Sequence, residues 1–164
     1  MKTRKILSLL LALALLAAAA LTAQAETLTD MAGRELVLDA PLTRVIALNP
    51  ADCEILYALG AQDVLVGRGE YCNYPEDVLS LPSVNSGAQT NIEQILALEP
   101  EVIIMSKMAQ TVEQVEALEK AGVRVVISDA QSLEGVYEAI ALLGELTGRE
   151  EAAEALAQEM RSGF

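Results

Sequence analysis

The residues best suited to chemistry are concentrated in one stretch, GRGEYCNYPEDV (residues 67–78). It holds Tyr71, Cys72 and Tyr74 in a chain with only four tyrosines, two cysteines, one phenylalanine and no tryptophan. The stretch directly follows an apolar run and is itself too polar to be core. Two aromatic rings in such a place offer flat apolar faces to a ligand, with hydroxyls to orient it. Tyr71 is expected to contact a ligand; Tyr74, beside Pro75, is expected to cover the adjacent helix. Gly67-Arg68-Gly69 does not make a dinucleotide fingerprint, because Cys72 stands where its third glycine belongs and no helix opens directly after it. Arg68 and Lys107 each follow an apolar run by one or two residues. Each suits an anionic ligand group and, equally, a solvated loop.

Catalytic constellations are missing. The chain has no histidine, so a zinc shell would have to be built from carboxylates against zinc's preferences, and no metal site is expected. There is no G-x-S-x-G elbow, and Ser106 and Ser128 have no evident activating partner. Carboxylates are abundant everywhere rather than paired at one place. Binding without chemistry is therefore the favoured class, ahead of an exported enzyme or a structural, interacting module, and no cofactor is expected. Cys53 and Cys72 lack C-x-x-C spacing, which leaves a structural disulfide or two buried free thiols.

The first 25 residues read as an export signal. Lys2, Arg4 and Lys5 precede an uncharged Leu/Ala run over residues 6–21, and Ala23-Gln24-Ala25 supplies a cleavage point. The run is shorter than the roughly 20 residues of a spanning helix. No cysteine stands at the junction, so an ordinary lipoprotein anchor is not expected, and the destination is periplasmic or cell-surface. The net charge of −13 becomes more negative when the leader's three cations are removed. Such acidity argues against nucleic acid and anionic lipid as partners. A single domain, as a monomer, fits the length.

The elements that must position these residues alternate. TLTDMAGRELVLD reads as two short strands about a turn at residues 31–34. RVIAL (44–48), VLVG (64–67), EVIIM (101–105) and VRVVIS (123–128) are buried-strand runs, and SVNSG is a brief extended segment. Helices are expected over PADCEILYALG, over about 75–81, from NIEQILALEP with a Thr90–Glu93 capping box, from Thr111 to Gly122, and over about 132–146. A further capping box at Thr147 and Glu150 opens the last helix, with Ala152, Leu156 and Met160 on one stripe. The fold class is therefore α/β, a Rossmann-like parallel sheet flanked by helices, with its ligand site at the carboxyl ends of the strands.

Residues 44–105 in particular resemble the amino-terminal lobe of the iron-siderophore and cobalamin binding proteins of ABC importers, the periplasmic binding proteins with a helical backbone between two lobes. The shared signals are the Pro-x-x-x-Glu-Ile-Leu helix ending Ala-Leu-Gly, Val-Gly with a Tyr-x-x-Tyr-Pro loop, and Asn-x-Glu-x-Ile-x-x-Leu-x-Pro before an apolar strand. The likeness runs from about residue 27 to 160. It implies a signal (1–25), a ligand-binding lobe (26–146) and the start of an interlobe helix (147–164), with the second lobe not represented. It implies capture of a ferric siderophore, haem or corrinoid and delivery to a permease. The ligand set it implies is Asn49, Pro50, Ala51 and Asp52; Glu70, Tyr71 and Cys72; Gln89 and Thr90 with Gly87 and Ala88; and Ser106, Lys107 and Met108, beside the Arg68 singled out above. Glu93 matches the family's surface glutamate that docks on a permease arginine, a role compatible with the capping box. A Cys53–Cys72 disulfide across the ligand edge would stiffen that rim.

Overall fold

In the computed structural model, described over residues 25–86, 90–107 and 112–163, the chain forms a hairpin and a five-stranded sheet. The hairpin pairs β1 (Glu26–Thr29) with antiparallel β2 (Glu35–Leu38). The sheet contains β3 (Val45–Ala47), β4 (Leu65–Gly69), β5 (Ser83–Val84), β6 (Val102–Met105) and β7 (Arg124–Ile127), all parallel, in the order β5-β4-β3-β6-β7. The helices are α1 (Pro50–Ala58), α2 (Ile92–Ala97), α3 (Val112–Lys120), α4 (Leu133–Thr147) and α5 (Glu150–Gly163). The segment after Pro75 is a short 3-10 turn, Glu76–Ser80, rather than an α-helix.

Strand order reverses at β3. The chain winds outward through β4 and β5, then returns to the other side of β3 with β6 and β7. This switch places helices on both faces. Val45, Ala47, Val102, Ile104 and Val126 pack with α1, α4 and α5. The alternate strand residues Ile46, Ile103, Met105, Val125 and Ile127 pack with α2 and α3. Strands buried on both faces need apolar side chains at consecutive positions, which is why these runs do not alternate in polarity.

The hairpin closes the β7 edge. Asp30 is buried and accepts from the amides of Ala32, Arg34 and, at 3.0 Å, Ile127. The Met31 amide donates to the Ile127 carbonyl, and the Arg34 guanidinium bonds the Val125 carbonyl. An otherwise unpaired strand edge is thereby covered. Burial alone would raise the Asp30 pKa, but these amides and the Arg34 ion pair hold it below the ordinary carboxylate value.

Two expected capping boxes are displaced. Asn91, not Thr90, caps α2, accepting from the Gln94 amide at 3.1 Å. Its Oδ1 reaches the third amide of the helix from a position one residue closer to it than Thr90. Thr147 ends α4 instead of opening α5. It is buried, its hydroxyl donates to the Leu143 carbonyl at 2.7 Å, and Gly148 at φ +66° closes the helix. That left-handed residue turns the chain so that α5 folds back along α4, with Ala153 against Gly144 and Leu156 and Met160 against the core. The expected cap at Thr111 and the leader, residues 1–24, lie outside the described residues.

Candidate functional site

The carboxyl ends of β3, β6 and β7 converge on one cleft of ≈ 630 Å³. Its polar rim is formed by Asn49 after β3, Ser106 after β6, and Ser128, Asp129 and Gln131 after β7, with Asp52 from the first turn of α1. Its wall is apolar, built from Ile55 and Ala58 of α1, Val136 and Ile140 of α4, and Leu156 and Met160 of α5. Concave, largely apolar sites with a few convergent polar groups at a strand-order switch are where α/β sheets take small ligands.

Local sequence explains the positioning. Asn49 is the N-cap of α1, its side chain accepting from the Ala51 amide, and Pro50 occupies the first turn. The helix therefore starts two residues after β3 and carries Asp52 under the cleft rim. Asp52 is 1% exposed. Its Oδ1 accepts from the Ser128 hydroxyl at 2.6 Å, tying α1 to the end of β7. Its Oδ2 is buried without a partner. Burial pushes the Asp52 pKa up to about 7, with Asp129 adding to the rise and the Ser128 and Asn49 side chains opposing it. Ser128 thus does have an acidic partner, one that sequence spacing could not reveal across 76 residues.

The loop after β4 is arranged differently from expectation. Tyr71 is 69% exposed and does not border the cleft, whereas Tyr74, 66% exposed, does. Glu70 is exposed at the sheet edge and accepts from the Ser86 amide at 3.3 Å. Arg68 turns back on its own loop, donating to the Gly69 carbonyl at 3.2 Å and the Cys72 carbonyl at 3.1 Å. The Lys107 amine donates to the Met31 carbonyl at 3.1 Å, so it braces the hairpin turn. Both cations are directed at backbone oxygens. Glu93 lies exposed in the first turn of α2, away from the cleft. Thr90 precedes the α2 cap; Gln89 and Met108, with Gly87 and Ala88, lie outside the described residues.

The disulfide reading is corrected: Cys53 and Cys72 are free, fully buried thiols. Each lies 3.7 Å from the same acceptor, the Ala47 carbonyl oxygen. The adjacent Cys72 sulfur and burial together hold the Cys53 thiol above its ordinary range. The two sulfurs fill the space under β3 as small apolar side chains do.

Sequence reasoning missed Tyr74, Glu54, Asp129 and Gln131 as cleft residues, and read Ser128 only as a nucleophile without a partner. The rule that ligands bind at strand carboxyl ends, applied to β7 as it was to β3, β4 and β6, would have found 128–131. The neighbouring Pro75 points Tyr74 toward helix cover, whereas its exposed ring borders the cleft and that of Tyr71 does not.

The chain is similar to known proteins over most of its described length. The periplasmic binding protein family model matches residues 45–163. An uncharacterized ABC transporter substrate-binding lipoprotein of Bacillus subtilis is 30% identical over 139 residues, covering 83% of this chain and 44% of that protein. A vitamin B12-binding protein of Vibrio campbellii is 30% identical over 124 residues, covering 76% of this chain and 45% of its own length. The crystal structure of a periplasmic heme binding protein from Pseudomonas aeruginosa superposes with a TM-score of 0.70 at 30% identity, over 73% of this chain and 43% of that one. The chain thus spans less than half the length of these proteins.

Proposed function

The chain belongs to the periplasmic binding protein family, and from that premise we propose that it is an extracytoplasmic solute-binding component of an ABC importer. It captures a metal chelate of the siderophore, haem or corrinoid class and passes it to a permease. Residues 26–146 form the body of the amino-terminal lobe, and α5 (Glu150–Gly163) begins the helix that leads toward a second lobe. The observation that carries this reading is the cleft at the β3/β6 switch point, with Asn49, Asp52, Ser106 and Ser128 converging on its rim. Glu93, exposed on α2, is the docking contact for a permease cation.

Binding without turnover is favoured over catalysis because no histidine exists to act as base. The relatives above are named as binding proteins. Their names also support an extracytoplasmic location. Among the described residues no helix is long and apolar enough to cross a membrane.

Equilibrium dialysis of the purified chain against cyanocobalamin, haem and a ferric hydroxamate tests the proposal. Saturable uptake of one of them, reduced by filling the cleft with Ala58→Trp, is the expected result. Absence of uptake of all three at millimolar concentration contradicts it.

A further inference from the structure

The charges that border the cleft are all of one sign. Glu54 and Asp129 line it, with the carboxyl of Asp52 buried beside them, and among the described residues no lysine or arginine does. The two cations nearest in sequence to the strand ends, Arg68 and Lys107, are engaged with backbone carbonyls elsewhere. Arg161 of α5 is likewise occupied, lying 4.3 Å over the Tyr137 ring and pairing with Glu134 at 3.0 Å. A ligand entering this cleft with carboxylates or catecholate oxygens forward meets negative charge and no counter-ion. Like charges brought together across an interface oppose association.

One group at the site asks for a ligand. The Asp52 side chain is buried beside the cleft, with Oδ1 satisfied by Ser128 and Oδ2 left without any partner. Buried polar oxygens are almost always hydrogen-bonded, and leaving one orphaned costs about 1–3 kcal/mol. A ligand N–H or O–H donor supplies what is missing. Around Asp52 stand Asp129 from the end of β7, Glu54 along α1, and the thiols of Cys53 and Cys72 beneath it, with Arg68 beyond the thiols and turned to the Gly69 and Cys72 carbonyls. The Asn49 side chain also bears on Asp52, yet Oδ2 stays unbonded.

We propose that this cleft selects a ligand face that is uncharged and fringed with hydrogen-bond donors, amides above all, and discriminates against faces that present carboxylates. Asp52 is the accepting group, and the apolar α1/α4/α5 wall covers the ligand's hydrocarbon rim. This reverses the preference that Arg68 and Lys107 suggest from sequence alone. It rests on the solute-binding reading and narrows it.

The test uses the full chain and two probes of similar size, cyanocobalamin with its amide fringe and haem with its two carboxylates. Equilibrium dialysis at pH 7.4 should show cyanocobalamin bound about tenfold or more tightly than haem, given the cost of facing like charges. Glu54→Lys, at an exposed position that cannot disturb the core, should raise haem affinity and narrow that gap at least about threefold. Asp52→Asn, which places an amide where the accepting oxygen stands, should weaken cyanocobalamin about tenfold. Haem bound as tightly as cyanocobalamin, or a gap unmoved by Glu54→Lys, overturns the selectivity but leaves the solute-binding reading standing. Failure of both probes and of a neutral ferric hydroxamate to bind overturns both.

Discussion

At the scale of single residues, Asp52 governs how the protein responds to pH. Its folded-state pKa of about 7 lies above the ordinary value of 3.8. The folded state therefore retains a proton that the unfolded chain releases. The stability linked to this group is complete below about pH 4, falls as pH rises, and is lost above about pH 7. No histidine titrates in that window; Glu145, raised by burial with Glu26 and Glu150 adding to it, acts in the same direction, and Asp30, whose pKa is lowered, contributes only in acid, where its stabilisation disappears as pH falls through its folded value. Thermal unfolding should thus show a lower midpoint at pH 8 than at pH 5. Asp52→Asn should remove most of the difference, on the order of a few kcal/mol. An unchanged pH slope in the variant would show that Asp52 is not the responsible group. The cysteines make a second residue-scale prediction. Thiol titration without reductant should find two reactive sulfhydryls in denaturant and almost none in the native state, because both sulfurs are fully buried. Detection of no free thiol after denaturation would restore the disulfide.

At the scale of elements, β3 and β4 approach each other most closely where the site begins. A Cβ on Gly69 would run into the Leu48 carbonyl oxygen, and that oxygen belongs to backbone, which cannot swing aside. Gly69→Ala should cost about 2 kcal/mol or more in denaturant unfolding, and it should also disturb the loop bearing Cys72 and Tyr74. A neutral effect would mean that the loop can shift freely. This level was largely legible in the sequence. The apolar runs locate β3, β4, β6 and β7, and Pro50 and Ser132 mark the α1 and α4 starts. What misled was local chemistry with two readings. Thr90-Asn91 offers adjacent cap residues, and only tertiary packing decides that Asn91 is used. Thr147 has cap spacing to Glu150, yet its hydroxyl is drawn back to Leu143 because the helix already extends over it. The rim of the cleft was readable where a strand end could be counted. Side-chain direction was not: Arg68 and Lys107 lie at the expected edge but face backbone carbonyls.

At the scale of the whole molecule, the cleft and Glu93, the proposed docking residue, lie on different faces of the sheet. The cleft opens at the strand carboxyl ends on the α1/α4/α5 side, whereas Glu93 is carried by α2, which packs on the opposite sheet face. A permease contact there leaves the cleft unobstructed. Charge reversal, Glu93→Arg, should leave ligand affinity unchanged and lower importer-coupled uptake about tenfold or more, as loss of a register-fixing charge pair does; parallel loss of binding would place Glu93 in the ligand site instead. In the proposed function, ligand is held at the β3/β6/β7 edge. The most direct measurement is an amide chemical-shift map of the 15N-labelled chain titrated with cyanocobalamin. Shifts should concentrate at residues 49–52, Ser106 and residues 128–131. Shifts confined to the hairpin or to α2 and α3, or no shifts at saturating ligand, would contradict the account.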